Sequence, residues 1–194
     1  MRMTIPTQLT LMRIALIPVV GILIYIDGWW TYLASAALFG LAAITDWLDG
    51  YLARKLGQMT PFGAFLDPVA DKLIVATALV LLVEIHASAI LAVPALVIVG
   101  REIVVSALRE WMSEYSERRS VAVSFLGKVK TTFQMIAIIV LLATGPDLSN
   151  PLVTLGYVLL YLAAALTLWS MYQYLKLAWP DLYSGMTNEK KARK

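Results

Sequence analysis

Six apolar stretches set the terms for this chain: Leu9–Ile26, Trp29–Ile44, Leu73–Ile85, Ser88–Trp111, Val121–Thr144 and Leu152–Leu177. In hydrocarbon a backbone must satisfy its own hydrogen bonds, and runs of this kind do so as helices. A span needs about 20 residues. The second and third stretches fall short unless helix 2 continues past Ile44 and helix 3 begins before Leu73. Both extensions run into charged sequence. Composition agrees with a bilayer as solvent: 60% of the 194 residues are hydrophobic, mean hydropathy is +0.75 and 15% are charged. A soluble domain carries about a quarter charged residues. The expectation is an all-α, polytopic membrane protein with six transmembrane helices, in one domain over residues 1–194. Thr4–Arg13 is a candidate short interfacial helix ahead of the first span. Met1–Thr10 has one Arg and no small-residue cleavage site, so no signal peptide is expected. The chain has no Cys, which excludes disulfides.

Charge orients the spans. With six of them, one side holds the N-terminus, Arg54–Phe62, Arg109–Ser120 and everything after Leu177. The other side holds Asp27–Gly28, Glu84–Ala87 and Gly145–Asn150. All 16 Lys and Arg fall on the first side or in the helix portions nearest it. Basic residues concentrate in cytoplasmic loops, so both termini are expected in the cytoplasm. The net charge of +3 is therefore a topology signal. A nucleic-acid face would need a basic patch that the tail Asn188–Lys194 alone does not supply; that tail is expected to lie against anionic headgroups.

The charged extensions carry the chemistry. Residues 46–71 read D-x2-D-G-x2-A-R-x8-G-x3-D-x3-D. On helices, Asp46, Asp49, Gly50 and Ala53 share one face, and Gly63, Asp67 and Asp71 share another. Thr60-Pro61 is a helix-start signal, a hydroxyl N-cap followed by proline. The two halves are then antiparallel neighbours, with Asp46 and Asp49 facing Asp67 and Asp71 just below the cytoplasmic headgroups. Four carboxylates facing one another repel, so something cationic must sit between them. Arg54 and Lys72 cannot neutralise four acids, and an all-oxygen cluster suits Mg²⁺ or Mn²⁺. Two such ions bridged by carboxylates clamp phosphoryl oxygens. Gly50 and Gly63 leave room for close approach, by a ligand or by a neighbouring helix.

This pattern resembles, without a gap, the signature of the CDP-alcohol phosphotransferase family. The resemblance implies six transmembrane helices, a dimer, two divalent cations and attack of an alcohol on a CDP-linked donor with release of CMP. Carried over by position, it implies that Asp46, Asp49, Asp67 and Asp71 are metal ligands and that Asp71 is also the general base. Asp49, Gly50, Ala53, Arg54 and Gly63 are implied as walls of the CDP site.

Acceptor choice must come from the remaining charges. Arg101 interrupts an apolar run beside Glu102, Arg109 lies nearer the cytoplasm, and Lys128 and Lys130 open helix 5. A buried Arg can simply pair with Glu102 and lysines can snorkel. Four cations at similar depth on two helices instead read as an anion pocket, suited to an acceptor bearing phosphate. Segments Ile5-Pro6-Thr7-Gln8-Leu9-Thr10-x2-Arg13, Gly100–Ile103, Arg109–Trp111, Gly127–Thr131 and Leu166–Met171 resemble the branch of that family that makes phosphatidylglycerophosphate in the inner membrane of Gram-negative bacteria. That resemblance implies CDP-diacylglycerol as donor and sn-glycerol 3-phosphate as acceptor, with Arg101, Arg109, Lys128 and Lys130 holding the acceptor phosphate and Thr60 a lesser contributor. Two alternatives stand beside it. One is a sibling enzyme using serine, inositol phosphate or phosphatidylglycerol. The other is a divalent-cation transporter, which needs a polar path that Ser35, Thr45 and Thr77 barely supply.

Overall fold

The computed structural model describes residues 4–26, 28, 30–57, 60–115 and 125–186. Among them run six helices and no strand: α1 (Ile5–Ile24), α2 (Thr31–Leu56), α3 (Pro61–His86), α4 (Ala89–Tyr115), α5 (Phe125–Thr144) and α6 (Pro151–Met186). The expected extensions of helices 2 and 3 are present, so residues 46–71 lie on two helices and their short connection. Thr60 caps α3 by accepting a hydrogen bond from the Gly63 amide at 3.0 Å, with Pro61 in the first turn.

One expectation is corrected. Thr4–Arg13 is not a separate interfacial helix; from Ile5 onward it is the first half of α1. Thr7, Thr10 and Arg13 recur every three residues, and all three are buried. A polar stripe of that kind is costly in lipid and is held against neighbouring helices.

The chain is a multi-pass membrane protein. Among the described residues, α1, α2, α4 and α6 contain stretches long and apolar enough to cross a bilayer, and Val129–Thr144 of α5 is a shorter apolar run. Its large exposed side chains, among them Ile22, Leu41, Val80, Leu96 and Leu155, suit lipid contact. The buried contacts are built from small residues: Ala36, Ala42, Ala78, Ala95, Ala137 and Ala164 all belong to one core with Phe39, Leu79, Leu82, Ile98 and Leu141. Lipid tails are as apolar as Leu, so helices associate by close approach rather than by apolar burial alone.

Connectivity of these contacts places the site. α1 packs against both α2 and α3, whereas α2 and α3 scarcely touch. α5 packs on α6 and α2, and α4 packs on α6 and α3. At 36 residues, α6 is about 54 Å long, well beyond the ~30 Å hydrocarbon core. Its later turns continue alongside α4, where Ala178, Tyr174 and Leu182 meet Leu108, Trp111 and Met112.

Candidate active site

The four signature carboxylates converge on α1. Arg13, only 1% exposed, donates from one nitrogen to Asp46 Oδ1 and Asp71 Oδ1, each at 2.6 Å, and from the other to Asp49. Thr10, one turn earlier, donates to Asp67 Oδ1 at 2.7 Å and lies 3.4 Å from Asp49 Oδ2. Asp46 and Asp71 are therefore separated by no more than twice one hydrogen-bond length. Asp49 is buried, while the side chains of Asp46 and Asp71 are about half exposed. The halves of the signature do come together, but across α1 rather than by direct α2–α3 contact.

Gly63 sits where α1 approaches α3. A Cβ there would lie 3.1 Å from Thr60 Oγ1 and 3.4 Å from Thr7 Oγ1. Its missing side chain thus serves close helix approach, the role left open beside ligand access. Thr60 is occupied as the α3 cap and lies 3.5 Å from Thr7 Oγ1.

A second charged cluster joins α4, α5 and α6. Arg101, 9% exposed, pairs with Glu102 and donates to Ser170 Oγ at 2.9 Å. Lys130, also buried, lies 3.9 Å from the same Glu102 carboxylate. Arg101 and Lys130 thus both face Glu102. Arg109 lies two turns further along α4 and is exposed. The side chains of Ala53, Arg54 and Lys128 fall outside the described residues.

Acids of the first cluster and Glu102 of the second border one cavity of about 1010 Å³. Asp46, Asp67, Asp71, Arg13 and Lys72 of α1, α2 and α3 line it, and so do Glu102, Ser106 and Arg109 of α4. Much of the remaining lining is apolar, including Ile74, Ile98, Val99 and Ile139. A polar mouth joined to an apolar wall suits a ligand with a charged head and a lipid tail.

Comparison with known proteins bears directly on this site. The family described as CDP-alcohol phosphatidyltransferase matches residues 3–169, which include every helix of both clusters up to Trp169 of α6. The chain belongs to the CDP-alcohol phosphatidyltransferase family. It is 55% identical over 181 residues to a CDP-diacylglycerol–glycerol-3-phosphate 3-phosphatidyltransferase of Pseudomonas fluorescens, covering 93% of this chain and 92% of that one. A protein of the same name from Sodalis glossinidius is 51% identical, covering 94% of this chain and 99% of its own. One from Pectobacterium atrosepticum is 52% identical, with 94% and 98% covered.

CDP-alcohol phosphatidyltransferases use divalent metal ions, so the donor set can be tested against that chemistry. Among the described residues no three carboxylates stand ready as a metal cage; their oxygens point at Arg13 and Thr10. Their chemistry nonetheless fits. Four acids outnumber Arg13 and Lys72 by two charges, and all the donors are hard oxygens.

Sequence reasoning missed two residues in this CDP-alcohol phosphatidyltransferase. It sought the cation between the acids in a metal or in Arg54 and Lys72 and did not weigh Arg13 of α1, which pairs with three of them. Arg13 was visible as a charge in an otherwise apolar span, three residues after Thr10 and six after Thr7. Ser170 lies in the segment Leu166–Met171 that carries part of the resemblance, but only the fold brings it against Arg101.

Proposed function

We propose that this protein transfers the phosphatidyl group of CDP-diacylglycerol to sn-glycerol 3-phosphate, giving phosphatidylglycerophosphate and CMP. The observation that carries the reading is a cavity lined both by the acids of α2 and α3 and by Arg109 of α4. Near full-length similarity to transferases whose names contain that donor and acceptor supports it.

Asp46, Asp49, Asp67 and Asp71 would hold two divalent ions, Mg²⁺ or Mn²⁺. Such ions neutralise the donor pyrophosphate when bound. Asp49, Gly50, Ala53, Arg54 and Gly63 belong to the donor side. Arg109, with Arg101, Lys128, Lys130 and Thr60, belongs to the acceptor side and draws in its phosphate. Glu102 would have to give up part of its hold on Arg101 and Lys130 for those two to take part. Asp71 accepts the proton of the acceptor hydroxyl. That oxygen forms a bond to the lipid-bearing phosphorus as the bond from phosphorus to the CMP oxygen breaks. The apolar cavity wall takes the donor's acyl chains.

The same reading makes residues 1–194 one membrane domain that dimerises in a bacterial inner membrane, with the termini and site on the cytoplasmic side. Purified protein with Mg²⁺ or Mn²⁺, offered glycerol 3-phosphate, serine, inositol phosphate or phosphatidylglycerol beside CDP-diacylglycerol, should release CMP only with glycerol 3-phosphate. Release with serine instead would overturn the acceptor assignment, and folded protein that releases no CMP with any of them would sink the transferase reading.

A further inference from the structure

We infer that Arg13 is a positioning residue that competes with divalent cations for the signature carboxylates, and so sets how tightly the site holds its metal. This rests on the metal reading of those acids given above and adds the role of α1 to it.

All four acids are bonded to α1. Arg13 holds Asp46, Asp49 and Asp71, and Thr10 holds Asp67. Because α2 and α3 scarcely touch, α1 is the element that brings the two halves of the signature to one point. The oxygens that Arg13 engages are the ones that a bridging cation would need. A guanidinium has only donors and stays protonated in proteins. It cannot share an oxygen with a dication at coordination distance without repulsion between the two positive charges.

Arg13 also has somewhere to go. Its side chain already lines the cavity, and its Nε is buried with no partner among the described residues. Displaced from the acids, the guanidinium would face the space where a pyrophosphate's oxygens must lie. The structure thus contains a cation that collects the acids and yields them to a stronger one.

The test uses the full-length protein in detergent, with Mn²⁺ as the probe. Free Mn²⁺ is followed by electron paramagnetic resonance, and unfolding temperature is measured with EDTA. Arg13→Gln should bind Mn²⁺ at least tenfold more tightly than the wild type while unfolding at a lower temperature in EDTA. Arg13→Lys, which keeps the charge but loses the fork, should fall between them on both measures. An Arg13 that only supports the fold would lower the unfolding temperature without tightening Mn²⁺ binding, and that result overturns the competition. Should Arg13→Gln fail to fold, Arg13→Lys decides: unchanged or weaker Mn²⁺ binding overturns the inference. If wild type and variants all fail to bind Mn²⁺, the metal reading of the carboxylates falls first and the competition falls with it.

Discussion

The two charged clusters are built on opposite rules. On α1, α2 and α3, three carboxylates share one arginine while a fourth accepts from Thr10, and the surplus is negative. On α4, α5 and α6, two buried cations share one carboxylate, and the surplus is positive. Each alone is an expensive arrangement inside a membrane protein. Under the proposed function, the acids attract cations and Arg109, which lines the same cavity, attracts an anion. A reaction between a pyrophosphate and an anionic alcohol needs both, since the two reactants repel each other until their charges are covered.

That contrast can be broken from either side. The largest effect is expected on the acidic wall. Asp71→Asn removes the proposed base and one anionic ligand, and should lower CMP release by about 10²–10⁴-fold for the base role alone. CDP-diacylglycerol binding should survive in part, which distinguishes lost chemistry from lost fold. On the basic wall, Arg109→Ala should act mainly on the acceptor. A charged hydrogen bond contributes about 1.5–3 kcal/mol, so KM for glycerol 3-phosphate should rise roughly ten- to a hundredfold while KM for the donor stays put. Equal rises in both constants would merge the two walls into one.

Smaller effects serve as controls away from both clusters. A Cβ at Gly156 would lie 2.6 Å from Leu141 Cγ. Gly156→Ala therefore forces α5 and α6 apart and should cost about 1–3 kcal/mol of stability, read as a lower unfolding temperature. The ratio of donor to acceptor KM should not move. The smallest effect is at the α5–α6 turn. Asp147 accepts from the Ser149 hydroxyl and amide, which holds its carboxyl below the usual carboxylate range. A depressed pKa gives stability that is present above the unfolded value and fades as pH falls through the folded one. Asp147→Ala should thus differ slightly from wild type in unfolding temperature near neutral pH and match it in strong acid.

Much of this molecule is legible in order of residues. The Thr60–Pro61 start of α3 follows from local rules, because a cap and a proline act within one turn. The span of α2 into the signature follows from length, since Trp29–Ile44 cannot cross a bilayer alone. The acid faces follow from helical period. What went unread lies between helices. Arg13 and Thr10 belong to a segment that carries the family resemblance, yet nothing in α1 says which neighbours its polar stripe meets. The same holds for Arg101, whose neighbour Glu102 is adjacent in sequence while Ser170 is 69 residues away.

By itself, the sequence determined that this is a helical membrane protein with acids grouped on two helix faces and cations grouped beyond them. Those properties depend on composition and on a 3.6-residue period, which act over one or two turns. Only tertiary structure decided that α1 wedges between α2 and α3, that Arg13 meets the acids, and that Glu102 and Arg109 of α4 line the same cavity as those acids. In lipid the choice of neighbours is made by close fit of small residues and by polar groups seeking partners, and neither is expressed along a single helix.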